Sequence, residues 1–108
     1  MGYIRHHSIA VSSWEKKLIK KAHKKAREMF PKMVTPVLET PINLDYAFFI
    51  GPDGSKEGWD TSDHYDEVRE KYIQYLKSFE DEDGWNGIRY CHFYFRDDDH
   101  HSEVIEHN

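Results

Sequence analysis

Residues 3–15 read YIRHHSIAVSSWE, and the periodicity of the chain changes within them. Up to Val11 the residues alternate. Tyr3, Arg5, His7, Ile9 and Val11 share one face of an extended segment, and Ile4, His6, Ser8 and Ala10 share the other. From Ser12 the pattern turns helical. Ser12 and Glu15 have the spacing of a capping box, in which each side chain satisfies an exposed backbone donor. Trp14, Leu18, Ala22, Ala26 and Met29 then recur as an apolar stripe, with Ile19 and Phe30 beside it. Pro31 lacks the donor that another turn would need, so the helix is expected to end near Phe30. The chain therefore opens with a strand that feeds an amphipathic helix.

The rest extends this pattern. The stretch MVTPVLETPINL at 33–44 contains two prolines and leaves room only for a short edge strand, about Val34–Leu38. LDYAFFI follows as a strand with Leu44, Tyr46, Phe48 and Ile50 on one face, and GPDG at 51–54 is a turn signal. Residues 60–79 read as a second helix with Val68, Tyr72, Tyr75, Leu76 and Phe79 inward and an acidic first turn that suits the helix dipole. Gly84 and Gly87 break the chain before the β-rich run IRYCHFYF at 88–95, and Glu103–His107 could return as a final strand. The order β-α-β-β-α-β predicts one α+β domain over residues 1–108, a ferredoxin-like sandwich. Two helices would cover one face of an antiparallel sheet, with a possible extra C-terminal strand.

Composition narrows the function classes. A chain of 108 residues with 32% charged and 15% aromatic residues suits a folded domain whose rings carry much of the burial. The lone Cys91 rules out an internal disulfide and fits a reducing compartment, and no apolar run approaches the ~20 residues of a membrane span. A cytoplasmic location is expected. The net charge of −5 is unevenly spread: residues 1–39 hold nine Lys/Arg against three Asp/Glu, and residues 40–108 hold six against seventeen. Lys16, Lys17, Lys20, Lys21, Lys24, Lys25 and Arg27 all fall on the first helix. They could face nucleic acid, or carboxylates of the second helix such as Asp63, Asp66, Glu67 and Glu70. An acidic protein with its basic residues confined to one helix is a poor general nucleic-acid binder.

Eight histidines invite a metal or phosphoryl-transfer reading. None has a diagnostic spacing: there is no His-Glu-x-x-His, no Cys-x-x-Cys and no Gly-x-Ser-x-Gly elbow. DDDHHSEVIEH at 97–107 is rich in ligand types but reads equally as a solvated turn, so no metal and no cofactor are assigned. An enzyme would use Arg5, His6, His7 and His92 as a phosphate-facing cluster, in the manner of a small metal- or His-dependent phosphoesterase. Period two separates Arg5 and His7 from His6. It also divides the aromatic strands, with Tyr90, His92 and Tyr94 as the more polar set, expected with His6 on an open sheet face that could pair two copies as a homodimer.

The start MGYIRHHSI, together with FFIGPDGSKEGWDTSD at 48–63, resembles a group of short, uncharacterised proteins encoded by bacteriophages and prophages. The resemblance implies a bacterial or phage origin and an intracellular life, and carries no activity with it. By analogy with small phage proteins it points to binding, either of a host protein or of a nucleotide-type signal. The glycine-punctuated loop DGSKEGWD brings Lys56, Glu57, Trp59 and Asp60 to a helix N-terminus, where charge, an aromatic ring and backbone donors converge. The expected binding residues are therefore Lys56, Glu57, Trp59, Asp60, His6 and His92, with a host protein or small anionic ligand as partner.

Overall fold

The computed structural model describes residues 4–97 and 101–108. The elements are β1 (Ser8–Ser13), α1 (Lys16–Met29), β2 (Leu38–Glu39), β3 (Tyr46–Ile50), α2 (Asp60–Lys77), β4 (Arg89–Phe95) and β5 (Ser102–His107). The five strands form one antiparallel sheet in the order β2-β3-β1-β4-β5. The protein is thus α+β, with two helices and a terminal strand added beside β4.

β1 is the central strand. Ile9 lies opposite both Ile50 and His92, and Val11 lies opposite Phe48 and Tyr90. This register puts the apolar alternation of three strands on a single face. Ile9, Val11, Phe48, Ile50, Ile88 and Tyr90 meet Ile19, Ala22, Ala26 and Phe30 from α1 and its end, and Tyr72, Ile73 and Leu76 from α2. Both helices cover this face because each has one apolar stripe and no other apolar surface to bury it against. Gly87 leads into β4 where α1 passes close by: a Cβ there would lie 2.5 Å from Glu15 Oε2 and 2.7 Å from Leu18 Cδ1.

Several boundaries differ from the sequence expectation, each for a local reason. β1 runs on to Ser13, so the capping box at Ser12 does not form; Ser13 Oγ accepts from the Glu15 backbone N–H at 3.0 Å. Trp14 leaves the apolar stripe, is 64% exposed, and stacks on Trp85 with centroids 5.9 Å apart. The edge strand shrinks to Leu38–Glu39, flanked by Pro36 and Pro41, which have no N–H to donate. Upstream of it Val34 keeps only an isolated bridge to Ile50. β3 starts two residues later than Leu44, because Asn43 and Leu44 have φ of 67° and 48° and make a turn instead. Tyr3, where the first strand was expected to begin, lies outside the described residues.

α1 and α2 are held together by one buried polar contact as well as by packing. The Tyr72 hydroxyl donates to the Ala22 carbonyl at 2.7 Å, and the Tyr72 ring meets Phe30 edge-on at 5.6 Å. Tyr72→Phe keeps the ring and removes only the donor. It should lower stability by about 1 kcal/mol, read as a lower urea midpoint with an unchanged slope.

Candidate functional site

The two neighbouring histidines of the opening stretch point to opposite sides of the sheet. His6 lies on the face away from the helices: its ring is 4.8 Å from Phe95, and Nε2 is 2.6 Å from Asp97 Oδ1. His7 lies on the helix side, where Nδ1 is 3.2 Å from His92 Nε2 and the ring is 5.2 Å from Tyr94. His92 is therefore a partner of His7 and not of His6. The expectation that Tyr90, His92 and Tyr94 occupy the open face is corrected by the register, which sets His92 opposite Ile9 on the core side. The tyrosines can turn inward because their hydroxyls reach carboxylates on the neighbouring strand. Tyr90 donates to Glu106 Oε2 at 3.2 Å and Tyr94 to Glu103 Oε2 at 2.8 Å. The open face carries Phe49, Cys91, Phe93, Phe95 and Val104 instead.

Around the His7–His92 pair the chain assembles a polar cluster from four separate segments. Arg69, on α2, is 2% exposed; its Nη2 donates to Asp66 Oδ1 at 2.8 Å, while Nε and Nη1 find no acceptor. From the loop between β3 and α2, Glu57 Oε1 comes within 3.8 Å of His7 Nε2, and the buried Ser55 donates to Asp53 Oδ2 at 2.6 Å. Arg5 lies over the Tyr94 ring at 5.4 Å. A neutral His7 that turns Nε2–H toward Glu57 accepts at Nδ1 from His92, which fixes both tautomers. Burial pushes both imidazoles to the neutral form, His92 to about 4, and the positive charge of Arg69 adds to the effect on each.

The expected recognition loop divides. Glu57 turns in toward His7, while Lys56 and Trp59 face outward as a pair, the ammonium 5.8 Å from the ring centroid and Trp59 53% exposed. Asp60 is exposed at the first turn of α2. Thus His92 and Glu57 meet around His7, and Lys56, Trp59, Asp60 and His6 lie outside that cluster. Arg69 had not been singled out in the sequence, where it reads as one more charge on an amphipathic helix. Its only signal there is a position one turn ahead of Tyr72 and Ile73, on the buried stripe. Among the described residues no three His, Cys, Asp or Glu side chains converge as metal ligands. Asp98, Asp99 and His100 of the DDDHH run lie outside the described residues.

A second feature had not been singled out either. Between α1 and the segment 34–39 runs a cleft of about 500 Å³, lined by Lys16, Ile19, Lys20, His23 and Arg27 on one side and Val34, Pro36, Val37, Glu39 and Tyr46 on the other. Its size is within the range of about 300–1,000 Å³ common for small-molecule sites. His23 forms part of its wall: Nε2 donates to the Thr35 carbonyl at 2.9 Å and the ring meets Phe48 edge-on. Among the described residues no ion pair joins the α1 cations to carboxylates of α2. The pairing between helices that the charge pattern allowed does not form; of the α2 carboxylates, Asp66 pairs within its own helix, with Arg69.

The buried imidazole sets a pH dependence. Between its ordinary 6.5 and its folded value of about 4, His92 is neutral in the folded chain and protonated in the unfolded one. The unfolded state then binds more protons, so stability falls as pH drops through that window. Glu106, held below the usual carboxylate range chiefly by the Lys77 hydrogen bond, adds its loss only at lower pH. His92→Gln should therefore flatten the fall in melting temperature between about pH 6.5 and about pH 4.5, and leave the steeper loss below it. Thermal melts of both proteins across that range check the slope.

Comparison of the chain with protein-family profiles, with curated proteins and with solved structures finds no match. Among the described residues no helix is long and apolar enough to cross a membrane.

Proposed function

We propose that the protein is a non-catalytic binding protein that holds a nucleotide-type anion in the cleft between α1 and segment 34–39. The observation that carries this reading is the asymmetry of the cleft walls. Lys16, Lys20 and Arg27 offer cations without partners in the described ion pairs, and Val37, Pro36 and the Tyr46 ring offer a mainly apolar surface opposite, with Glu39 as the carboxylate among the lining residues. A phosphate needs the first and a base the second. Single-stranded nucleic acid would need a longer basic track than one helix of an acidic chain provides. The phage-type resemblance agrees with sequestration of a host nucleotide signal inside a bacterial cytoplasm.

The outward pair Lys56–Trp59 is the competing location, and a host protein the competing partner. A second reading has its own observation: the line Glu57–His7–His92 beside Arg69 has the ingredients of a His-dependent phosphoesterase. As part of the same proposal, strands β1 to β4 and their two helices make a ferredoxin-like unit, with β2 and β4 flanking the β3-β1 pair and β5 added outside. The open face with Phe49, Phe93 and Phe95 would join two copies.

Calorimetry with AMP, GMP, ATP and cyclic dinucleotides tests the cleft. At least one should bind, and Lys20→Glu with Arg27→Glu should weaken it more than roughly tenfold. The affinity should also fall with added salt, since these cations are exposed. Lys56→Ala with Trp59→Ala should leave it unchanged. Loss of binding only from the loop variant would move the site to Lys56 and Trp59, and hydrolysis of the nucleotide on incubation would favour the esterase. Light scattering at tens of micromolar should give a dimer that Phe93→Glu dissociates; a monomer removes the pairing.

A further inference from the structure

Arg69 is the least satisfied charged group of the described chain. Of the five N–H donors of a guanidinium, those on Nε and Nη1 meet no acceptor although both atoms are sealed from solvent. Leaving such donors unpaired costs a few kcal/mol in general, so a fold that keeps them there has another partner for them. The neighbouring carboxylates are already engaged. Asp66 accepts from Arg69 Nη2, Asp53 accepts from Ser55, Glu57 lies against His7, and Glu106 is bound by Lys77 at 2.5 Å and by Tyr90. The two imidazoles, which lie on the same side of the sheet, have their neutral N–H groups turned to Glu57 and to each other and gain a further donor only on protonation; Arg5 is the other cation nearby.

We propose that Arg69, His7 and His92 form a binding site for one small oxyanion of the phosphate or carboxylate type, distinct from the cleft along α1. The guanidinium supplies the permanent charge and the unpaired N–H donors. The histidines supply donors that become stronger as they gain protons. Desolvation and Arg69 push both imidazoles toward the neutral form, with His7 acting in the same direction on His92 and Arg5 on His7. Asp66 and Asp53 pull the other way on His7, as do Asp66 and Glu106 on His92, and none of these offsets the burial. An anion set beside Arg69 cancels its charge and favours the imidazolium, so binding takes up protons and tightens as pH falls. The loop residue Glu57, partly buried 3.8 Å from His7, is the group an entering ion would have to pass. Only an ion small enough to reach the guanidinium fits the description, which separates this site from one for a whole nucleotide.

Sulfate is a suitable first probe because its charge is constant over the range in question; phosphate and acetate then separate the two oxyanion types. Ring carbon–proton spectra of the folded wild-type protein, assigned with His7→Gln and His92→Gln, are followed during titration. Sulfate should shift the His7 and His92 signals saturably and raise their titration midpoints by about one unit. The signals of His23 and His64 should stay in place. Affinity should rise several-fold from about pH 6.5 to about pH 4.5. Arg69→Lys should remove the response while retaining the folded spectrum. If that variant does not fold, the wild-type titration still decides. Absence of any shift at His7 and His92, shifts confined to His23, or an unchanged response in a folded Arg69→Lys protein would each overturn the proposal. A response confined to His23 would at the same time support the cleft along α1, so the two sites fail or succeed separately.

Discussion

β1 is hydrogen-bonded on both sides, to β3 and to β4, and the rest of the molecule depends on that double pairing. A central strand has one register against each neighbour, and slipping either by a residue would turn Ile9 and Val11 toward solvent. The same alternation that buries them sends His7 to the helix side and His6 to the other. The polar cluster is thus a direct extension of the core row: His7 continues Ile9, and His92 faces Ile9 across the ladder. The positions of Arg69 and Glu57 follow from where α2 and its preceding loop must lie to cover that row.

Much of the fold was legible because it depends on local periodicity. The helices, the strands at β1, β3, β4 and β5, and the split between His6 and His7 all come from spacings of two or of three to four residues. What was not legible depends on pairs far apart in the chain. Whether Tyr90, His92 and Tyr94 face in or out is decided by the register of β4 against β1, and Glu103 and Glu106 on the neighbouring strand accept the hydroxyls of the inward tyrosines. Polarity alone assigned those residues to the wrong face. Trp14 looked like a core residue by spacing, and its stacking on Trp85, distant in sequence, removed it from the stripe.

The candidate site followed the same division. Glu57 and His92 were singled out from the sequence for separate reasons, and the structure brings both to His7. Arg69 could not be weighted, since its neighbours on α2 are also charged and only the sheet packed against it makes it a buried one. The cleft lies between α1 and a segment that pairs with the sheet only through the two-residue β2 and the bridge at Val34. The basic helix was visible as a charge pattern, but its facing wall was not. Electrostatically the two features differ: the α1 cations stand in water and are screened, whereas Arg69 acts through protein at close range.

The sheet has two edges of different character. At one, β2 is two residues long and sits between Pro36 and Pro41, so it offers almost no backbone for a further strand. At the other, β5 presents six residues, with Val104 and Ile105 exposed on its two sides. An edge of this kind is a template for strand addition, and Glu103 and Glu106 are the charges that guard it. Growth of the sheet is therefore polar: an extended peptide, or the β5 of a neighbouring copy, can lengthen the order β2-β3-β1-β4-β5 only at its β5 end. Protonation of the glutamates in acid weakens that guard, so strand addition becomes easier at this edge than at β2.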